Sequence, residues 1–198
     1  MSKIEVNEIV NQSGDNDSGI DLTTNDQIGF KIANASKWTL NSSGNLFPAS
    51  TSQGIVLGAT SDTAANRLED YEEGTFNFEM VGYHGSPSPK LTIPSHYTKV
   101  GNTVHFWSIA TGLNTASYSG DVWFTGLPFT SPSPYAVGNF YSDKGVNYGG
   151  DGSNSGPFLL ISGTIAYVYV HKSSANVVAG SHNVTTSVSM QLFGSYKV

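Results

Sequence analysis

Residues 66–76 hold the densest group of side chains that could do chemistry, in the stretch NRLEDYEEGTF. The group consists of the only arginine of the sequence and four carboxylates, namely Arg67, Glu69, Asp70, Glu72 and Glu73. Two neighbouring carboxyl groups could serve as the acid and the base or nucleophile of a glycosidase, and several together could bind a cation. A glycosidase also needs a cleft and one carboxyl in an apolar pocket, which the neighbouring residues do not suggest. We therefore interpret the stretch as a structural connector.

The other residues that could do chemistry lack the spacing of catalytic or metal-binding motifs. None of the five histidines has the HxxH or HExxH spacing of a zinc site; they are His84, His96, His105, His171 and His182. A threefold axis could still bring three copies of one histidine around an ion. The Asp151–Asn154 segment lacks the spacing of an EF-hand loop, and the chain has neither a P-loop nor a G-x-S-x-G motif. We predict no enzyme activity, no metal site and no cofactor.

The composition favours a β protein and argues against nucleic acid as a partner. Only 12% of the residues are charged and 22 are glycine, which is typical of short strands joined by tight turns. The net charge of −6 opposes the binding of phosphates. The first ten residues lack the apolar core of a signal peptide, and no run of about 18 apolar residues follows. We expect synthesis in a cytoplasm and no membrane insertion.

Residues 1–60 alternate short apolar segments with turns rich in Asn, Ser, Gly and Asp. Each segment has the period of two that is typical of a strand, but none is long enough to build a core alone. Intertwining with identical copies around a shared axis would solve this, which predicts a symmetric oligomer, most simply a homotrimer with an intertwined N-terminal β stem. A disordered tail is the alternative, and the regular strand-and-turn rhythm argues against it.

A short connector helix is predicted over residues 61–73. Ser61 or Asp62 can cap it, the following alanines favour it, and Gly74 can end it. Leu68 and Tyr71 would share one face of such a helix and point towards the axis. The predicted subunit interface comprises Arg67, Leu68, Glu69, Asp70 and Tyr71. The chain also changes character here, with 11 acids and 4 bases through Glu73 but 4 acids and 5 bases afterwards.

Residues 74–198 carry eight candidate strands without intervening helices. The segment YTKVGNTVHF predicts a hairpin with Gly101-Asn102 as its two-residue turn, and residues 184–193 alternate cleanly between apolar and polar side chains. This spacing of strands is typical of a sandwich or jelly roll. We therefore predict an all-β chain whose C-terminal head is a jelly-roll-like β-sandwich.

Two loops of the head carry side chains suited to sugar recognition. Residues 83–89 form a short stiff loop, and residues 141–157 form a long glycine-rich one, and long loops in compact domains are often functional. Exposed aromatic rings can stack on sugars while Asp and Asn accept hydrogen bonds from hydroxyls. The candidate binding residues are Tyr83, His84, Tyr141, Asp143, Asn147, Tyr148 and Asp151. Tyr83 and Tyr141 could instead terminate strands and pack at the rim.

Four motifs of the chain resemble a loosely defined family of phage tail-fibre and related virion proteins. Residues 66–76 are similar to the family's NRLDDYEEGT-W/F connector, and residues 97–102 to its Y-T-K-I/V-G-N strand turn. The G-L-P-F corner is matched by residues 126–129, and a closing strand like F-S-G-T-Y by residues 193–196. The resemblance covers roughly residues 62–198 in the same order, and Met1–Ile9 also looks like the opening of short phage fibre proteins.

The resemblance implies a trimeric virion fibre that is made in the host cytoplasm and mounted on the particle. Its N-terminal stem would bind other virion proteins, and its heads would contact a host surface polysaccharide or protein, with glycan the favoured ligand. The family has no catalytic residues to carry over. Because about 60 residues make a short stem, a capsid-decorating (head fibre) protein or a tail adaptor with a purely structural role is equally compatible, and a glycan-degrading spike is a further alternative.

Overall fold

The structure is a computed structural model, and its regular elements are all β. It describes residues 5–11, 17–63, 66–68, 70–84, 86, 89–118, 120–143, 146–147, 157–171, 177–179, 181–182 and 187–198. The predicted all-β class is confirmed. Within these residues no helix has the length and apolar character needed to cross a membrane. The chain divides into two compact units, Met1–Asp70 and Tyr71–Val198, whereas the sequence suggested boundaries at 60/61 and 73/74.

The first unit contains an antiparallel sheet of five strands that follow each other in chain order. The strands are β1 (Glu8–Val10), β2 (Gly19–Asp21), β3 (Ile28–Ile32), β4 (Ala35–Leu40) and β5 (Leu46–Pro48). β2 to β5 coincide with apolar segments of the sequence, and short turns at residues 33–34 and 41–45 connect β3 to β4 and β4 to β5. A separate pair follows, in which β6 (Ile55–Val56) runs antiparallel to β7 (Arg67–Leu68).

The two faces of this sheet differ in chemistry. On one face the Lys31 ammonium lies 2.6 Å from Glu8 Oε1 and 3.9 Å from Asp21 Oδ2. The hydrogen bond to Glu8 raises the pKa of Lys31, and hydrogen bonds from Thr23 lower the pKa of Asp21. The cross-strand register places seven apolar residues together on the other face, which we call the apolar face: Ile9, Ile20, Ile28, Phe30, Trp38, Leu40 and Leu46.

The predicted connector helix over residues 61–73 is wrong, because the described residues of this segment contain no α-helix. Arg67–Leu68 form β7, and Tyr71 already begins the first strand of the second unit, which is 12 residues long. Residues 71–73 pair with residues 98–100 of the next strand. A helix of about 12 residues is marginal in water, so the ladder of hydrogen bonds to a neighbouring strand outweighs the helix-favouring composition.

The second unit is an eight-stranded antiparallel barrel. Its strands are β8 (Tyr71–Gly82), β9 (Thr92–Val100), β10 (Thr103–Leu113), β11 (Gly120–Thr125), β12 (Ser131–Ser142), β14 (Phe158–Gly163), β15 (Ile165–His171) and β18 (Val188–Lys197). Three further strands, β13 (Val146–Asn147), β16 (Val177–Ala179) and β17 (Ser181–His182), extend the same sheet at its margins. The Gly101-Asn102 hairpin is confirmed, since Val100 pairs with Thr103 across it.

The barrel closes because β11 pairs with β8 on one side and with β15 on the other. Around the barrel the order is β11-β8-β9-β10-β18-β12-β14-β15. This order consists of two successive Greek keys, in each of which a fourth strand returns to lie beside the first. The antiparallel all-β character expected of a jelly-roll-like sandwich is therefore confirmed. The sheet, however, closes into a barrel instead of splitting into two layers.

Alternate residues of the barrel strands point inwards and fill the interior. The largest fully buried side chains include Phe78, Met80, Ile93, Val104, Tyr118, Phe124, Leu159, Ile161, Met190 and Leu192. The first residue of β8, Tyr71, lies at one end of the barrel, which we call the near end. We call the opposite end the far end. Leu127, in the connection from β11 to β12, is buried at the near end, and Tyr118, in the connection from β10 to β11, is buried at the far end.

The carboxylates of residues 72 and 73 are hydrogen-bond acceptors for tyrosines of the same chain. The hydroxyl of Tyr97 donates to Glu72 Oε1, and the hydroxyl of Tyr71 donates to Glu73 Oε1. These bonds stabilise the protonated phenols and raise the pKa of both tyrosines. Gly74 lies under the ring of Tyr97, and a Cβ atom there would be 2.6 Å from the ring. The glycine therefore leaves the space in which this ring packs.

Replacing Gly74 with alanine should destabilise the barrel. The added methyl group must displace the Tyr97 ring and its bond to Glu72, and such overpacking costs about 1–3 kcal/mol. Thermal unfolding followed by circular dichroism should show a lower Tm for Gly74→Ala than for Thr75→Ala, the neighbouring control. In a Tyr97→Leu background the Gly74→Ala change should cost much less; an equal cost in both backgrounds would contradict this explanation.

The barrel should lose stability at alkaline pH. Burial raises the pKa of Tyr196 to about 12, and burial also raises the pKa of Tyr118, compared with about 10 for an exposed tyrosine. The folded state holds these phenol protons more tightly than the unfolded state does. The protonated phenols therefore contribute fully to the free energy of unfolding below pH 10, and this contribution is lost as the pH rises through about 12. We expect Tm to fall progressively above pH 10.

The Tyr196→Phe variant separates this effect from general charge repulsion. It removes one raised phenol and also the oxygen that accepts the Phe129 N–H at 3.3 Å. Its Tm should be lower than wild type at pH 7, but should decline less steeply above pH 10. Parallel declines of Tm in the two proteins would exclude Tyr196 as a source of the alkaline sensitivity.

Candidate functional site

The structure distributes the predicted binding residues around the far end of the barrel instead of joining them in one site. Tyr83 and His84 directly follow β8, whereas Tyr141 and Asp143 lie at the end of β12. In the order of strands β8 and β12 stand on opposite walls of the barrel. Two further candidates, Tyr148 and Asp151, lie outside the described residues.

Asp143 holds two strands together at the far end. Its Oδ1 accepts the backbone N–H of Ser189 at 2.7 Å, and its own N–H donates to the Ser189 carbonyl oxygen at 3.1 Å. This reciprocal pair explains an acid at that position without any ligand. Tyr141, two residues earlier, points outwards and is exposed, and its part in binding stays a prediction.

Asn147 is linked to the opposite wall through short strands. It lies in β13 and pairs with Ser181 of β17. Ser181 in turn pairs with Asp121 of β11. Asn147 therefore belongs by its backbone to the wall that carries Tyr83, although it comes from the loop that follows β12.

The wall formed by β8, β11 and β15 contains a groove of about 180 Å³, which we call the aromatic groove. Tyr83, Asp121, Trp123, Tyr167 and Tyr169 line it, together with Val122 and Val168. The centroids of the Trp123 and Tyr167 rings are 6.5 Å apart, and those of Tyr167 and Tyr169 are also 6.5 Å apart. Three aromatic rings thus form a continuous strip on the outside of the barrel.

Strand alternation places these rings on the outer surface. Val122 and Phe124 are buried in the interior, so Trp123 between them points outwards. Ala166 and Val168 are buried likewise, so Tyr167 and Tyr169 point outwards. The register pairs Trp123 directly with Tyr167, which brings together rings from distant parts of the sequence. The three rings are half-buried and therefore present their edges and faces in fixed orientations.

One end of the groove is formed by Tyr83, Asp121 and the neighbouring His84. The Tyr83 N–H donates to the Asp121 carbonyl oxygen at 2.8 Å, so the turn after β8 stays against β11. The rings of Tyr83 and His84 contact edge to face at 4.7 Å. A Cβ atom on Gly120 would lie 2.6 Å from the His84 ring, so glycine is needed for this approach. The His84 ring thus supports Tyr83, whose own ring is 67% exposed.

The groove has the chemistry of a binding site. Its rings offer apolar faces and tyrosine hydroxyls, and Asp121 offers an exposed carboxylate that can only accept hydrogen bonds when ionised. Glycoside hydrolysis normally uses two carboxyl groups across the scissile bond, and the residues that line the groove include one. No group of three or more His, Asp or Glu that could hold a metal occurs among the described residues.

The sequence indicated Tyr83 and His84 but not the other groove residues. Trp123, Tyr167 and Tyr169 stand in strands that also supply the core, where an aromatic residue is most simply assigned to the interior. The period of two was the available signal, because it puts Trp123 out of phase with Val122 and Phe124. Neither the sequence of β11 nor that of β15 alone shows that the two strands are neighbours.

The residues predicted at the subunit interface make contacts within one chain. The Arg67 guanidinium donates to Asp62 Oδ1 at 2.6 Å and to the Ser52 carbonyl oxygen at 3.0 Å. Leu68 and Tyr71 are exposed in the single chain, and Asp70 has an interaction of its own. Glu69 lies outside the described residues. Their place in an interface stays a prediction.

Comparison with known proteins adds no family to this description. Family models, curated protein sequences and solved structures gave no match to the chain.

Proposed function

We propose that the protein is a phage virion fibre protein that forms a homotrimer and contacts the host cell surface with its C-terminal heads. The first unit assembles with other copies and attaches to other virion proteins. The barrel presents its far end and the aromatic groove to host polysaccharide. The motif resemblance over residues 62–198 supports the virion setting, and the apolar face of the first unit carries the argument for assembly.

Within the described part of the first unit, Gly54 and Ile55 border the apolar face beside Phe30, Trp38 and Leu46, and much of the face is exposed. A sheet must bury its apolar face against another element to be stable, yet Phe30 is 42% and Leu46 is 56% exposed. Soluble monomers rarely leave large contiguous apolar patches in water. None of the seven residues that define this face is charged, so the same residues of other copies can pack against them without burying an ion. Three such sheets around one axis would give the intertwined stem its shared core.

The proposed mechanism of attachment is avidity. A groove of this size can hold only a small part of a polysaccharide, so a single head would bind weakly. Three heads on one fibre, and several fibres on one particle, raise the effective concentration of the remaining sites after the first contact. Overall attachment can then exceed the single-site affinity by about 10²–10⁴ without any additional contact.

Replacing Phe30 with aspartate should dissociate the oligomer. Wild type should elute as a trimer of about 63 kDa, three times the chain mass of 21.0 kDa, in size-exclusion chromatography with light scattering. Phe30→Asp places a charge in the centre of the apolar face and should yield monomers, because an unpaired buried charge is strongly unfavourable. Ser36→Asp adds the same charge to the other face, beside Lys31, and should remain trimeric. A monomeric wild type would disprove the assembly proposal.

Purified wild-type protein should block adsorption of the phage to its host. Competition by micromolar protein supports the attachment function, because free heads would occupy the receptor. Unchanged adsorption at saturating protein favours the capsid-decorating or tail-adaptor alternative instead. Release of reducing sugar ends from host polysaccharide would identify a glycan-degrading spike, and its loss in Glu72→Gln would assign the reaction to residues 66–76.

A further inference from the structure

The aromatic groove is built for one narrow class of ligand, and its preference can be read from its lining. We propose that it binds an uncharged pyranose unit of a glycan, and that it rejects sugars carrying carboxylate, sulfate or phosphate groups. This inference rests on the proposed function and specifies the ligand of that function.

The shape fits a small flat ligand. The volume of about 180 Å³ is below the roughly 300–1,000 Å³ of sites that enclose drug-sized molecules. The strip of Trp123, Tyr167 and Tyr169 lies along one side, and the exposed ring of Tyr83 stands at the end. Tryptophan and tyrosine supply large rigid contact areas at a low cost in conformational entropy. A pyranose ring offers an apolar face of C–H groups to such rings and hydroxyls around its rim.

The polar groups complement hydroxyls in particular. Asp121 accepts hydrogen bonds and the tyrosine hydroxyls can both donate and accept, which matches groups that themselves donate and accept. Asp121 is exposed at the edge of the groove, so its carboxylate can contact a ligand without leaving water entirely. The backbone N–H of Tyr83 is already bonded to the Asp121 carbonyl oxygen, so it does not add a donor for an anion.

The charge of the groove sets its selectivity. Among the described residues that line it, Asp121 is the one that carries a charge, and none is lysine or arginine. Recognition of carboxylates, sulfates or phosphates in proteins relies on cationic donors, above all arginine. An acidic sugar would therefore meet like charge at Asp121 without compensation, and the chain's net charge of −6 adds to the repulsion.

The groove is also formed before any ligand arrives. Trp123 and Tyr167 are paired across the β11–β15 ladder that closes the barrel, and their flanking residues Val122 and Val168 are buried in the core. A binding surface on a rigid scaffold loses less conformational entropy when a ligand binds. The preference for uncharged sugars is therefore a property of the folded barrel.

The test is a panel of immobilised glycans probed with labelled wild-type protein in its native oligomeric state. The panel contains uncharged hexose and N-acetylhexosamine glycans, and uronate-, sialate- and sulfate-bearing glycans. We expect binding only among the uncharged members. Trp123→Ala and Asp121→Asn should each weaken it by about tenfold or more, because the first removes a stacking ring and the second removes the charged hydrogen-bond acceptor. Binding confined to acidic glycans, or to no glycan, would overturn the proposal.

Trp107→Ala is the matched control. Trp107 stacks on His96 at 5.4 Å and is 45% exposed, but β10 lies on the opposite wall from β11 and β15. This variant should bind within about twofold of wild type. The Tm of Trp123→Ala is measured to establish that this variant folds. Asp121→Asn changes only an exposed group, so it tests the groove independently of the folding of Trp123→Ala. Retained binding in a folded Trp123→Ala or in Asp121→Asn would disprove the groove as the site.

Adsorption competition distinguishes failure of this inference from failure of the proposed function. If wild type and Trp123→Ala block phage adsorption equally, the attachment function stands and the groove is not its site. If the protein binds uncharged glycans through Trp123 but never blocks adsorption, the groove inference stands and host attachment fails. If Trp123→Ala loses both glycan binding and the ability to block phage adsorption, while wild type keeps both, the two proposals are supported together.

Discussion

The double pairing of β11 is the interaction on which the second unit depends. By pairing with β8 and with β15, this strand of six residues turns an open sheet into a closed barrel. Closure removes exposed strand edges, which are otherwise templates for aggregation. It also encloses one interior, so side chains from all eight strands share a single core. The aromatic groove exists only because of that closure, since its rings come from both sides of the β11–β15 seam.

The carboxylate-rich connector illustrates how neighbours decide what a residue does. In isolation NRLEDYEEGTF offers helix-forming residues and a cluster of acids. Residues 71–76 of this stretch pair with β9 and form an extended strand in which Glu72 and Glu73 accept hydrogen bonds from tyrosine hydroxyls. Gly74 then admits the Tyr97 ring, much as an aromatic ring covers a strand glycine in designed sheets. What looked like a candidate for acid–base chemistry contributes instead to the packing of the near end of the barrel.

Local patterns sufficed for much of the fold and for little of the site. The eight barrel strands and the Gly101-Asn102 turn follow from alternation and turn chemistry, which are properties of a few adjacent residues. Residues 71–73 became a strand because of pairing with residues 98–100, a contact outside the reach of local propensity. The same limit applies to the site: Tyr83 was visible in its loop, but Trp123 and Tyr167 acquire meaning only through the pairing of their strands. The predicted set also joined Tyr83 to Tyr141, because loop composition carries no information about which wall a loop follows.

The two units solve the problem of burying apolar surface in different ways, and the difference explains their different roles in the proposal. The barrel encloses a core of inward side chains contributed by one chain. The five-stranded sheet leaves much of its apolar face exposed, and in the proposed trimer the other copies would cover that face. When folding is coupled to association in this way, stability depends on protomer concentration. In the proposed fibre the first unit would provide assembly, and each barrel would carry the aromatic groove on its outer wall.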